Sequence, residues 1–169
     1  MRAVIAFVLA LTALPQVASA QTKPNNVKSV GPWEIVQWVR GATVSRCTVI
    51  RDKRPAGAPS YGFLIDGEGL LLSVESNAWT LTPERKVRAI ATASGGAART
   101  LDAVPVSAAR ANIELGKDRA LLGELQTADK LEVQIGGTKV SMPFDDFNAA
   151  RVVFESCVMT LGKSVSAAH

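Results

Sequence analysis

Histidine is nearly absent from this chain: its 169 residues include one, His169, at the last position. An imidazole at a chain end lacks the surrounding structure that would hold it in place, so histidine acid/base catalysis and nucleophile–histidine pairs are not expected. Serine chemistry without histidine is not indicated either, because neither the GxSxG nor the SxxK pattern occurs. We therefore predict no catalytic residues and expect that the protein is not an enzyme.

Cysteine is almost as scarce, since Cys47 and Cys157 are the only two. Without a CxxC pair or clustered histidines, the sequence offers no set of ligands for a transition metal, and we predict no metal site and no cofactor. Two cysteines in an exported chain typically form one disulfide. We predict a Cys47–Cys157 bond, with two free buried thiols as the alternative.

Long hydrophobic runs are absent after the first twenty residues. Arg2 precedes an apolar run over residues 3–14, and the small residues at 18–20 form a signal-peptidase site. Residues 1–20 are therefore predicted to be a signal peptide. An uncleaved anchor is the alternative, but twelve apolar residues are too few to span a bilayer. The chain is expected to be periplasmic or secreted, with no stable membrane insertion after cleavage.

The charge is mildly basic and evenly spread. The chain has 19 basic and 15 acidic residues, and Arg2 is the only charged one in the predicted signal peptide, which leaves 18 against 15, or +3. No run of five basic residues occurs and no basic stripe alternates with aromatic residues, so we expect no nucleic-acid partner. Attraction to anionic lipid or polysaccharide stays open.

The pattern of the remaining chain predicts one α+β domain. Residues 21–31 are polar and without a period, and are predicted to be a flexible leader. Residues 32–162 are predicted to form a single β-rich domain, and residues 163–169 a disordered tail. We expect a mainly antiparallel sheet of seven to nine strands, as an open barrel or sandwich, with a short helix and a C-terminal helix packed on it.

Alternation and turn residues place the strands. The clearest hairpin is SYGFLI followed by DGEG and LLLSVE. Residues 79–81 are predicted to be a short strand. Residues 84–92 leave a choice, because Thr82 and Pro83 resemble a helix start; the β-like neighbours on both sides favour a strand.

Two helices are predicted late in the chain. Residues 118–128 carry three leucines on one helical face. Residues 142–161 carry a longer apolar stripe, with Asp145 as the predicted N-cap. The stripe consists of Phe147, Ala150, Phe154, Val158 and Leu161.

Three residues are candidates for facing a ligand. Asp66 and Glu68 lie two apart at the predicted hairpin tip, although an aspartate in such a turn usually hydrogen-bonds its own backbone. Trp38 lies on the opposite strand face from Trp33, and is the better candidate for exposure of the two.

A resemblance to a known family follows from the order of several landmarks. GPWEIVQW, a strand cysteine, an IDG turn, LLLSVESNAWTL, LLGELQTADKLEVQIGG and a closing FNAARVVFESCV occur in that order. This order resembles the small exported envelope proteins of alphaproteobacteria related to the invasion-associated locus B family. The resemblance implies a periplasmic or secreted β-rich domain linked to envelope function or host-cell entry, and it implies no catalytic residues.

The function hypothesis is therefore a non-enzymatic binding or adaptor module whose partner is an unknown protein or envelope component. One alternative is a cell-wall or carbohydrate-active hydrolase that uses Asp66 and Glu68. Another is a protein that resembles lysozyme inhibitors. The sequence leaves the oligomeric state open, and a monomer is the simplest expectation.

Overall fold

The computed structural model describes residues 21–51, 54–116 and 120–165. The predicted signal peptide, residues 1–20, lies outside the described residues. Within them the elements are β1 (Thr22–Val30), β2 (Trp33–Arg40), β3 (Thr43–Arg51), β4 (Ser60–Asp66), β5 (Leu70–Glu75), β6 (Val87–Ala93), β7 (Arg99–Pro105), β8 (Arg110–Gly116), α1 (Ala120–Glu124), β9 (Lys130–Ile135), β10 (Thr138–Pro143) and α2 (Phe147–Val158).

The ten strands form one antiparallel sheet in the order β1-β2-β3-β4-β5-β8-β7-β6-β9-β10. The sheet is not closed, and β1 and β10 are its edge strands. This architecture confirms the predicted α+β class with a mainly antiparallel sheet and a C-terminal helix. The strand count exceeds the predicted seven to nine.

Strict alternation of side chains divides the sheet into two faces. We call the face covered by α2 the inner face and the opposite one the outer face. β5 shows the alternation clearly: its inward residues are buried and its outward residues are partly exposed (Leu70, Leu72 and Val74 against Leu71, Ser73 and Glu75).

An aromatic cluster fills the inner face where α2 begins. The Trp33 ring lies 5.2 Å from Phe144 and 5.0 Å from Phe147 between centroids, and 5.8 Å from Tyr61. The indole N–H of Trp33 donates to the Asp145 carbonyl at 2.8 Å. The entry to α2 is thereby fixed against β2 and β4.

A disulfide joins Cys47 of β3 to Cys157 of α2, with 6.1 Å between the Cα atoms, as predicted. Cys47 is fully buried. The bond fixes the last turn of α2 over the sheet, where the helix also packs on β2. Such a bond is typical of proteins that fold in an oxidising compartment.

The prediction of a flexible leader over residues 21–31 is wrong for most of that segment. Thr22–Val30 forms β1, which pairs with β2 from Thr22 opposite Arg40 to Val30 opposite Trp33. An edge strand whose side chains face solvent needs no apolar alternation, so its sequence carries no strand period. The register shift between Pro24 and Asn26 accommodates the proline, which an edge strand tolerates.

The first residues of the predicted disordered tail are ordered, because they form backbone hydrogen bonds with residues 42–44. The Val44 amide donates to the Lys163 carbonyl at 3.0 Å, and the Val165 amide donates to the Ala42 carbonyl at 2.8 Å. Ser164 forms an isolated bridge with Thr43. Residues 166–169 lie outside the described residues.

Residues 79–81 are not a strand, which corrects the prediction. Leu81 makes a single backbone bond there, from its amide to the Ala108 carbonyl at 2.8 Å. Trp79 is buried, and its ring packing rather than sheet pairing fixes the segment. The choice of a strand over residues 84–92 is confirmed by β6.

Both helices are shorter than predicted. α1 covers five residues and ends one residue after Gly123, and glycine disfavours the helical conformation. Leu121 and Leu122 of α1 are buried, and so is Leu125, which follows the helix directly. Residues 117–119 lie outside the described part.

The prediction that Asp145 caps α2 is wrong. Asp146 occupies the N-cap position with φ 58°, and its side chain makes no capping hydrogen bond. Asp145 instead binds Arg51, which lies 94 residues earlier in the chain. α2 buries Phe147, Ala150 and Phe154 and ends at Val158, before the predicted end at residue 161.

Candidate docking site

The outer face of β1 to β5 carries an apolar surface that no element of the described chain covers. The strand register aligns Val27, Val36, Thr48, Leu64 and Leu71 in one row across five strands. Trp38 and Ile50 lie beside this row on β2 and β3. We call this set the apolar strip: Val27, Val36, Trp38, Thr48, Ile50, Leu64 and Leu71.

Neighbouring side chains in the apolar strip pack against one another. Val36 is 4% exposed, whereas Val27 on the edge strand is 53% exposed. The Trp38 indole N–H donates to the Thr48 hydroxyl at 3.1 Å. Val36 and Thr48 are buried at the centre of the strip, and the partly exposed side chains around them are Trp38, Ile50, Leu64 and Leu71.

The other half of the same outer face is charged. Arg88 of β6 forms an ion pair with Asp102 of β7. Glu132 of β9 accepts from Lys130 and from Lys139, each at 2.9 Å. The hydrogen bonds from Lys139 and Lys130 lower the pKa of Glu132. We call this β6–β10 side of the outer face the charged half; the β1–β5 side carries the apolar strip, with Glu34, Arg46 and Asp66 at its borders.

The structure places two of the sequence candidates in one line. Trp38 pairs with Arg46, and Arg46 pairs with Asp66, so Trp38 and Asp66 lie on the outer face two strands apart. Trp38 is partly exposed, as a candidate on the face opposite Trp33 should be. Arg46 lies between them, with its guanidinium 3.7 Å from the Asp66 carboxylate.

Asp66 has the turn role that its sequence context indicated. Its carboxylate accepts from the Glu68 amide at 2.9 Å, and its own amide donates to the Gly69 carbonyl at 3.2 Å. Such bonds stabilise a tight connection between strands. Glu68 is exposed at the tip.

A cleft of about 380 Å³ opens beside this turn, at the β5 end of the apolar strip. Three carboxylates line it, from Asp66, Glu68 and Glu114. Apolar residues line the rest together with glycine backbone and Asn112 (Leu70, Leu71 and Val104). We call it the acidic cleft.

Glu114 was not found by sequence reasoning. The alternation within β8 indicates that Glu114 points outward, but nothing local predicts that β8 pairs with β5. That pairing sets Glu114 directly opposite Leu71. A long-range strand order was therefore needed to find the third carboxylate.

The carboxylates of the acidic cleft are weakly paired. Glu114 lies 3.8 Å from the Lys86 ammonium, and Asp66 lies 3.7 Å from Arg46. Both distances are near the limit for an ion pair. Glu68 forms no ion pair with any residue of the described chain.

A second cleft, of about 220 Å³, adjoins the opposite border of the apolar strip. Ile50, Leu64 and Gly62 contribute to its lining, and the Arg110–Glu75 ion pair closes one end. Gly62 offers no side chain on the outer face, which leaves a depression between β3 and β5. The strip is thus bounded by a cleft on each side.

Within the described ranges, no three side chains of His, Cys, Asp or Glu are grouped so that they would hold a metal ion. Those ranges also contain no helix of the length and apolarity needed to cross a membrane. Comparisons with protein-family models, curated proteins and solved structures find no match to this chain.

Proposed function

We propose that this protein is an exported envelope protein, periplasmic or secreted, that acts as a non-enzymatic binding or adaptor module. The apolar strip is its docking surface for a partner protein. The observation that carries this proposal is the row of side chains, apolar but for Thr48, that runs across β1 to β5 on the outer face. The family resemblance adds a role in envelope function or host-cell interaction.

The size of the strip fits a recognition surface. Seven positions of about 4.8 Å by 7 Å each give a patch of about 240 Å², within which Val36 and Thr48 are buried. Contiguous apolar patches of a few hundred Å² on monomeric proteins are often functional. Polar groups surround it at both clefts, which is typical of an interaction site.

The disulfide supports the exported location in the proposal. Cys47 and Cys157 are bonded, and disulfides persist in the periplasm and outside the cell but are rare in the cytosol. A docking surface held on a cross-linked sheet is also rigid, which lowers the entropic cost of binding.

The experiment compares three forms of the chain beginning at Gln21, each immobilised and exposed to envelope extract. The variant Leu64→Ser/Leu71→Ser removes two neighbouring side chains of the strip. The control Ile90→Ser/Val106→Ser removes two exposed apolar side chains outside it; Ile90 is 41% exposed on β6. We expect the wild type and the control to retain the same partner, and the strip variant to lose it.

Two outcomes would overturn the proposal. Equal retention by all three forms would show that the strip is not the docking surface. A wild-type protein that retains no protein, glycan or lipid would contradict a binding role altogether. Circular dichroism before the capture confirms that each variant is folded.

A second candidate function is a cell-wall or carbohydrate-active hydrolase, favoured by the meeting of Asp66, Glu68 and Glu114 at one cleft. Paired carboxylates are the usual catalytic groups of glycosidases. The variant Asp66→Asn/Glu68→Gln keeps the acceptor oxygen of the turn and removes both charges. Unchanged hydrolysis of peptidoglycan and glycans by this variant, or none by the wild type, would exclude the hydrolase.

A further inference from the structure

We infer that the partner presents a cationic segment, with a lysine or arginine side chain in the acidic cleft and adjacent apolar side chains over Leu64 and Leu71. This inference rests on the proposed function, because it names the chemistry of the partner for the same docking surface. It commits to a protein segment as the occupant.

The cleft and the strip are one continuous surface. Leu71 belongs to the apolar strip and also lines the acidic cleft. Glu114 is its register partner on the next strand, so the surface changes from apolar to acidic over one strand spacing of about 4.8 Å. A segment lying across the strands meets leucine side chains first and then carboxylates.

The charge of the cleft is opposite to that of the whole chain. The protein has a formal net charge of +4, yet the ionisable groups that line the cleft are all acidic: Asp66, Glu68 and Glu114. The cations paired with Asp66 and Glu114, which are Arg46 and Lys86, are not among the lining residues, and their ion pairs are long. Attraction of a cation is therefore specific to this end of the strip.

The area of the strip favours a segment over a second copy of the chain. A standard interface buries about 800 Å² per partner, which is more than three times the area of the apolar patch. A dimer held by this patch alone would be weak. A peptide-sized segment needs less area, and a cleft of about 380 Å³ has room for a long basic side chain.

The test measures binding of three labelled peptides of equal length by fluorescence anisotropy. The first alternates lysine and leucine, the second glutamate and leucine, and the third lysine and serine. We expect the lysine–leucine peptide to bind most tightly, because it alone supplies both chemistries. Raising the salt concentration should weaken this binding, since the charges at the surface are screened.

Charge variants locate the contact. Glu68→Gln/Glu114→Gln removes two charges from the cleft and should weaken binding of the lysine–leucine peptide by about twofold to thirtyfold, the range for two exposed ion pairs. The matched control, Asp102→Asn/Glu132→Gln, removes two charges from the charged half of the same face. It should change the affinity by less than about twofold.

Three results would overturn the inference. They are equal binding of the glutamate–leucine peptide, an equal loss in both double variants, and no binding of the lysine–leucine peptide at millimolar concentration. None of these removes the strip itself as a docking surface, which the Leu64→Ser/Leu71→Ser capture experiment tests separately. Failure of that capture experiment, in turn, would contradict the proposed function whichever peptide binds.

Discussion

Arg51 and Asp145 join β3 to the segment that leads into α2 through a two-pronged ion pair, with nitrogen–oxygen distances of 2.9 and 3.0 Å. The two partners differ in exposure, because the Arg51 side chain is 10% exposed and that of Asp145 is 57% exposed. The guanidinium also lies 5.7 Å from the centre of the Trp33 ring. A buried guanidinium needs a compensating charge, so the fold depends on Asp145 more than its exposure implies.

Asp145→Asn is expected to lower the free energy of unfolding by about 1–2 kcal/mol. This is below the cost of breaking a fully buried ion pair, because solvent screens the exposed carboxylate. Urea denaturation at neutral pH measures the change. Asp129→Asn is the control, since Asp129 is exposed. An equal loss in both variants would contradict a specific role for the ion pair.

The contribution of Asp145 should also depend on pH. The hydrogen bond from Arg51 lowers the pKa of Asp145 below its unfolded value of about 3.9. Its stabilisation is therefore complete above that value and is lost as the pH falls through the folded pKa. The difference in urea midpoint between wild type and Asp145→Asn should shrink in acid. A difference that stays constant down to about pH 2 would show that the charge is not responsible.

Tyr61 should not ionise while the protein is folded. It is the only tyrosine in the chain, so its titration can be followed without interference. Burial raises the pKa of its phenol, and the hydroxyl donates to the Pro143 carbonyl. We expect phenolate absorbance to appear only with unfolding, whereas the urea-unfolded chain should titrate near pH 10.

The same shift predicts how stability changes in alkali. Because the folded pKa is raised, the contribution of Tyr61 is complete below about pH 10 and declines as the pH rises further. Tyr61→Phe should therefore lose less stability in alkali than the wild type. Phenolate absorbance near pH 10 with a native circular dichroism spectrum would contradict this account.

Alternation and turn residues predicted the strands in which these patterns are pronounced. The hairpin signal around DGEG predicted β4 and β5, and alternation placed Trp38 on the face opposite Trp33. β1 was missed because an edge strand with solvent-exposed side chains needs no alternation. β1 is held by its hydrogen bonding to β2 and by Val30, which packs against the core, and both are properties of the assembled sheet.

The features that the sequence did not predict depend on contacts between residues that are far apart in the chain. The sequence around Asp145 fits an N-cap. In the folded chain, however, its carboxylate binds the guanidinium of Arg51. The acidic cleft likewise depends on β8 lying next to β5, which brings Glu114 beside Leu71. Asp66 and Glu68 could be named from the turn sequence, whereas their surroundings could not.

Gly62→Ala should be strongly destabilising although the residue lies in a regular strand. A Cβ at this position would clash with the Val49 carbonyl oxygen and would lie 2.9 Å from the Ile50 Cα. Both obstacles are backbone atoms of β3, so they cannot move without disturbing the sheet. We expect a loss of about 1–3 kcal/mol in the free energy of unfolding, measured by urea denaturation.

Gly67→Ala is the control for this substitution. A Cβ at Gly67, in the β4–β5 turn, would have no atom within 4 Å. Gly67→Ala should change the free energy of unfolding by no more than about 0.5 kcal/mol. A small effect at Gly62 equal to that at Gly67 would mean that β3 and β4 are less closely packed than the structure shows.

Removal of the disulfide should lower stability without changing the fold. Cys47 and Cys157 are 110 residues apart in sequence, and closing a loop of that length limits the freedom of the unfolded chain. We expect Cys47→Ser/Cys157→Ser to lower the free energy of unfolding by about 2–4 kcal/mol. This is less than the full loop-closure value, because residual structure in the unfolded chain reduces it.

Urea denaturation with and without reductant measures the loss, and intact mass records the two hydrogens gained on reduction. The double variant should not respond to reductant. An unchanged midpoint for wild-type protein whose mass shows complete reduction would mean that packing of Phe147, Ala150 and Phe154, and not the covalent bond, holds α2 on the sheet.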